Sequence, residues 1–128
     1  MTDALFWLYL TNSVLLINHE IDSAYWKEWD LFRLPGGIAG FLLLHFPLLF
    51  LVLYGLAAAA RQQPSAVWFS VLLGAGGILA FGIHRYFLKK GREEFDQPVS
   101  KGILWATLLV SLAQLAVVAV HIAGGMVI

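Results

Sequence analysis

Four stretches of the chain are long apolar runs, and the polar residues collect between them. The runs cover Ala4 to Glu20, Gly37 to Ala60, Ala66 to Leu88 and Ile103 to Ile128, the first with room to continue past Glu20. A helix crossing the hydrocarbon core needs about 20 mostly apolar residues. Within each run the apolar positions are continuous rather than alternating, which favours helices over the strands of a closed barrel. Between the first two runs, Ile21 to Leu34 mixes Ile21, Tyr25, Trp26, Trp29, Leu31 and Phe32 with charges. That mixture predicts an amphipathic helix lying at the membrane interface, ended by Leu34-Pro35-Gly36-Gly37. The short loop Arg61 to Ser65 makes the second and third spans antiparallel neighbours. The polar segment Lys89 to Gly102 reads as a solvated loop, with Ser100 as N-cap of the last span. The expected fold is all-α: an integral membrane bundle of four transmembrane helices in one domain, 1–128, with an interfacial helix between the first and second.

Composition agrees with a membrane location. Of the 128 residues 60% are hydrophobic and 12% charged, and the mean hydropathy is +0.80. Soluble domains carry about 25% charged residues. The formal charge is zero, which argues against a nucleic-acid partner. Cysteine is absent, so disulfides, thiolate metal sites and thiol nucleophiles are excluded. Met1-Thr2-Asp3 lacks a basic n-region, and no small-residue cleavage site follows the first run, so that run is expected to be retained. Basic residues set the orientation. Lys27, Arg33, Arg85, Lys89, Lys90, Arg92 and Lys101 lie on the side reached at the end of the first span, and only Arg61 lies opposite. This bias makes that face cytoplasmic. Both termini are then outside, and the 21–36 and 89–102 loops are cytoplasmic, as in a bacterial inner-membrane protein.

Each span carries one histidine: His19, His45, His84 and His121. At a rise of about 1.5 Å per residue, His19, His45 and His84 share the cytoplasmic half, and His121 falls in the other. Imidazoles with carboxylates suit zinc, iron or manganese. His19, His45 and His84 are the candidate metal ligands. Glu20 and Asp22 are candidate catalytic acids or bases, and Glu28 is a spare. His19 and Asp22, three apart, share a helix face. The spacing is not the strong His-Glu-x-x-His motif. Taken singly, each histidine is better accounted for by a bond to a carbonyl or polar neighbour in the bundle. Arg85 could pair with Glu20, Asp22 or Glu28. Pro47 frees the carbonyl of Leu43 beside His45, to accept its N–H, to bind an ion or only to mark a bend. Ser70, Gly74, Gly77, Phe81 and His84 form a mostly small-residue stripe that turns His84 inward or makes a dimer contact. Thr107, Ser111, Gln114 and His121 form a polar seam interrupted at Val118. Asn12 and Gln114 reach the same depth, where a hydrogen bond is worth about 1 kcal/mol. Tyr25, Trp26, Trp29 and Trp105 serve as interfacial anchors or as walls for a lipid headgroup.

The segments Asn18-His19-Glu20-Ile21-Asp22, Tyr25-Trp26-Lys27-Glu28-Trp29 and Leu34-Pro35-Gly36-Gly37-Ile38 resemble a group of small bacterial four-helix membrane proteins of unknown function. The resemblance covers most of the chain and implies a fold without an activity. The first span, with His19 and Glu20, is similar to the HXXEE membrane family. No Glu-Glu pair follows at the expected offset, so no site is carried over. Size and span number also resemble the small multidrug-resistance transporters, with Glu20 as the counterpart of their first-helix glutamate. Three functions stay open. One is a metal or acid/base site acting on a lipid-like substrate. The second is a scaffold or accessory subunit, and the third a small proton-coupled transporter. Expected partners are membrane lipid, that lipid-like substrate and further copies of the chain.

Overall fold

The computed structural model of the protein describes residues 3–125. It is all helical, with no strand among the described residues. Helices α1 (Asp3–Tyr25), α3 (Gly37–Ala60), α4 (Ala66–Lys89) and α5 (Pro98–Ala123) are long, and α2 (Glu28–Leu31) is a single turn. Three of them, α3, α4 and α5, are long and apolar enough to cross a membrane. At 23 residues, α1 reaches about 34 Å, also enough to cross, but it is less apolar than the others.

The helix ends differ from the sequence pattern in informative ways. The interfacial segment is not one helix. Its first residues extend α1 to Tyr25, and Lys27 then turns left-handed at φ 52° before α2 begins. Gly36 enters α3 at φ 90°. A Cβ on Gly40 would sit 2.2 Å from the Pro35 carbonyl oxygen, so this reversal needs glycine there. Helix α5 starts at Pro98 rather than Ile103, with Gln97 and not Ser100 at its N-cap. Proline at a first helical position has the right φ and no N–H to waste. Ser100 is buried within the first turn. The expected last residues of this span, Met126 to Ile128, lie outside the described residues. Helix α3 runs unbroken through Pro47.

Around the bundle the order is α3, α1, α5, α4, with α1 and α4 meeting across the middle. Helices α3 and α5 do not approach each other. Small residues allow the close crossings. Gly77 faces Ser111 and Thr107, Gly74 faces Leu115, and Gly55 accepts the Tyr9 ring, whose hydroxyl donates to the Val52 carbonyl at 3.0 Å. The α4 stripe is thus used against α5 inside one chain, and Phe81 packs on Trp105.

Burial is inverted relative to a water-soluble protein. Leu43, Phe46 and Phe50 point outward, while Asn12, Ser70, Thr107, Ser111 and Gln114 are buried. Exposed apolar surface on this scale is suited to lipid. At mid-depth, Asn12 Nδ2 donates to Gln114 Oε1 at 2.9 Å and to Ser111 Oγ at 3.1 Å. Gln114 Nε2 donates to the Ser70 carbonyl at 3.2 Å. The pairing expected from depth is present, with Ser111 and a backbone carbonyl added.

Candidate metal centre

The α1–α4 diagonal brings His19 and His84 face to edge, with ring centroids 4.6 Å apart. Both are buried. The left-handed turn at Lys27 reverses the chain, so Glu28, the first residue of α2, returns over this pair. Glu28 Oε1 lies 3.5 Å from His84 Nε2. One donor atom from each of His19, Glu28 and His84 lies within 4.8 Å of the other two. Burial pushes the Glu28 carboxyl above the usual carboxylate range, opposed by the Ser23 hydroxyl and by charge at His45. The Nδ1 atoms of both His19 and His84 are buried and without a hydrogen-bond partner among the described residues. An orphaned buried polar atom is costly, and two on adjacent rings need an explanation. Around a tetrahedral ion with bonds of about 2.0–2.1 Å, donor atoms sit roughly 3.3 Å apart.

His45 stands apart from this trio. Its Nδ1 lies 2.7 Å from the Phe41 carbonyl, and its Nε2 lies 2.6 Å from Glu20 Oε2. A carbonyl only accepts, so Nδ1 carries a hydrogen. The acceptor is the Phe41 carbonyl, not the Leu43 carbonyl freed by Pro47. Phe41 also stacks on the His45 ring at 3.8 Å, and Trp29 packs on Phe41 at 5.5 Å. Trp29 is thus part of the site's support, whereas Tyr25 and Trp105 are exposed.

A family comparison matches residues 5–121, which is nearly the whole chain. The chain belongs to DUF6713, a family of unknown function. Comparisons with curated proteins and with solved structures found no match. The matched region of this DUF6713 chain includes every residue of the cluster. A cleft of about 240 Å³ is lined by His19, Glu20, Glu28, His45 and His84, with Phe32 and Phe41 among its walls. The five polar residues are thus brought together around one space, though only three form a ligand set. Asp22 is half-buried, with a buried Oδ2 that has no partner, and does not line the cleft. His121 is buried in the last turns of α5. Arg85 makes no ion pair with Glu20, Asp22 or Glu28 among the described residues. The loop's ion pairs are Arg92–Glu94 and Lys101–Asp96.

One contributor of the DUF6713 site escaped the sequence pattern. Phe95, within the polar 89–102 loop, is buried and covers both imidazoles, with its ring 4.2 Å from His84 and 5.8 Å from His19. A lone aromatic among charges was the available signal. Phe95 has φ 68°, a left-handed conformation that turns the loop at that residue.

Proposed function

We propose that the protein holds one divalent transition metal, zinc, iron or manganese, between His19, Glu28 and His84, and acts with it on a lipid-like substrate. The observation that carries this is the convergence of two buried imidazoles and a half-buried carboxyl, with one donor atom of each within 4.8 Å of the other two. Two imidazoles and one carboxylate leave an open position on a tetrahedral or octahedral ion, the pattern of catalytic rather than structural sites. A metal bound there supplies Lewis-acid polarisation of a carbonyl or phosphoryl oxygen and a more acidic bound water. Glu20, not Asp22, is placed to move a proton, because Glu20 lines the cleft and its Oε2 lies 2.6 Å from His45 Nε2. In this reading α1 is a fourth span, the cleft faces the cytoplasm beneath the basic loops, and the membrane is a bacterial inner membrane.

Elemental analysis of the protein purified in detergent tests the proposal. One metal ion per chain is expected, lost in His84→Ala and retained in His121→Ala. Protein that carries no metal and takes up none on titration sinks it. The Glu20–His45 contact favours a second reading, a proton-coupled carrier. Substrate-dependent proton flux in liposomes, abolished in Glu20→Gln, would separate that reading from the first.

A further inference from the structure

A second cavity, of about 300 Å³, runs between α1, α3 and α4 and touches Thr107 of α5; its lining is mostly apolar, with Asn12, Glu20 and Thr107 among the polar members. Its walls include Leu16, Leu48, Val52, Phe69, Leu72 and Leu73. It meets the histidine cleft at Glu20, Gly76 and Ala80, which line both. Two independent measures give its length. It follows α1 from Tyr9 to Glu20 and α4 from Phe69 to Ala80. Each is eleven residue steps along a helix, or about 16 Å. On α3 and α4 it runs from about mid-helix toward the Ala60 and Ala66 ends, away from the histidine cleft. Leu48, Leu51 and Leu72 on its rim are exposed, so it opens sideways toward lipid between α3 and α4.

We infer that this trough holds the single hydrocarbon chain of an amphiphile, whose oxygen-bearing head lies at the His19–Glu28–His84 cleft while the chain runs past the middle of the bundle. The inference rests on the proposed lipid-acting site and adds its substrate class and route of entry. Three features select this occupant. The trough is about 16 Å long, its walls are mostly apolar, and it adjoins the polar cleft at Glu20, Gly76 and Ala80. A second protein helix does not fit, because a helix with its side chains is about 10 Å across and the space is that of a narrow trough. Gly76 is the junction. A Cβ built there meets nothing within 4 Å, so a larger side chain at this position would fill the trough rather than disturb the fold. It would also remove a helix-interior glycine, which favours the helix.

Photoreactive palmitate, with the protein in phosphatidylcholine nanodiscs, tests the inference. Label should concentrate on Leu48, Leu51 and Leu72, and unlabelled palmitate should compete it away. Label on Leu109, exposed on α5, should not be competed. Gly76→Leu should lower the competed label about tenfold, equivalent to roughly 1.4 kcal/mol, while Gly76→Ala retains it. Competition by palmitate but not by lysophosphatidylcholine assigns a carboxylate head; the reverse assigns a phosphodiester head. Label spread evenly over Leu43, Leu109 and the trough, with no competition, overturns the inference, and it does so in the unmodified chain even if Gly76→Leu fails to fold. Metal content of the same samples keeps the two readings separate. Metal-free protein with saturable trough labelling loses the metal and keeps the chain site. Metal-loaded protein with even labelling does the opposite.

Discussion

The bundle contains two polar clusters built from similar parts, and they are finished differently. At mid-depth, Asn12, Ser111, Gln114 and the Ser70 carbonyl satisfy one another with bonds of 2.9–3.2 Å. At the end of α1, His19 and His84 are equally buried, yet each leaves a ring nitrogen without a partner. The first cluster is complete, so its work is to fix the α1–α5–α4 register. The second is incomplete among the described residues, so the chain carries a desolvation cost there that a ligand would offset. His121 Nδ1 and Ser70 Oγ are also buried and unpartnered, so what sets the second cluster apart is two such imidazoles converging with the Glu28 carboxyl.

The largest effect should come from removing one metal donor. His84→Ala is expected to lose the bound metal entirely while the helical content stays intact, read by elemental analysis and circular dichroism. The comparison breaks if metal loading survives. Next is Gly77→Val at the α4–α5 crossing, where a Cβ would sit 2.2 Å from Ser111 Oγ. Overpacking of this kind costs about 1–3 kcal/mol. It should lower the unfolding midpoint in detergent without changing metal affinity in the protein that remains folded. Phe95→Ala removes the ring that shields both imidazoles from the loop side. Metal affinity should fall about tenfold, as for other changes in the shell around a metal site, measurable by competition with a chelator. Asn12→Ala should cost about 1 kcal/mol, since it strands Gln114 Oε1 and Ser111 Oγ at mid-membrane. Metal content should not change. An Asn12→Ala protein that is fully stable but metal-free would reverse the roles of the two clusters.

The spacing of polar residues along the spans made one cluster legible and the other only half so. Depth along a helix follows from residue count, so Asn12 and Gln114 could be matched before any coordinates existed. The same count brought His19 and His84 to one level. It could not tell Glu28 from His45 as the third member. Glu28 arrives through the left-handed turn at Lys27, and a non-glycine residue with positive φ leaves no pattern in the chain. His45 is withdrawn by two local contacts, Phe41 and Glu20, that depend on rotamers rather than on spacing. Phe95 was hidden for a similar reason. Periodicity speaks only where backbone geometry repeats, and a loop between charged residues has none. Three helices carry a clear spanning signal, and the expected fourth, α1, does not, because its polar end from Asn18 to Asp22 dilutes its apolar character.

The smallest effect tests the same contrast from the side of charge. Burial raises the Glu28 carboxyl above its ordinary range. In metal-free protein the folded state therefore binds this proton more tightly than the unfolded chain does. Stability from Glu28 is full below the ordinary carboxylate range and is lost as pH rises through the raised folded value. Glu28→Gln keeps the shape and removes the charge. With a chelator present, the variant should unfold at the same temperature as the parent in acid and at a slightly higher one at neutral pH. Restoring the metal should reverse the order at neutral pH, because the carboxylate then has a cation to face and the amide is the poorer ligand. If the parent stays the more stable of the two at neutral pH in the chelator, Glu28 is held by protein partners instead, and the cluster at the end of α1 is as self-sufficient as the one built on Asn12.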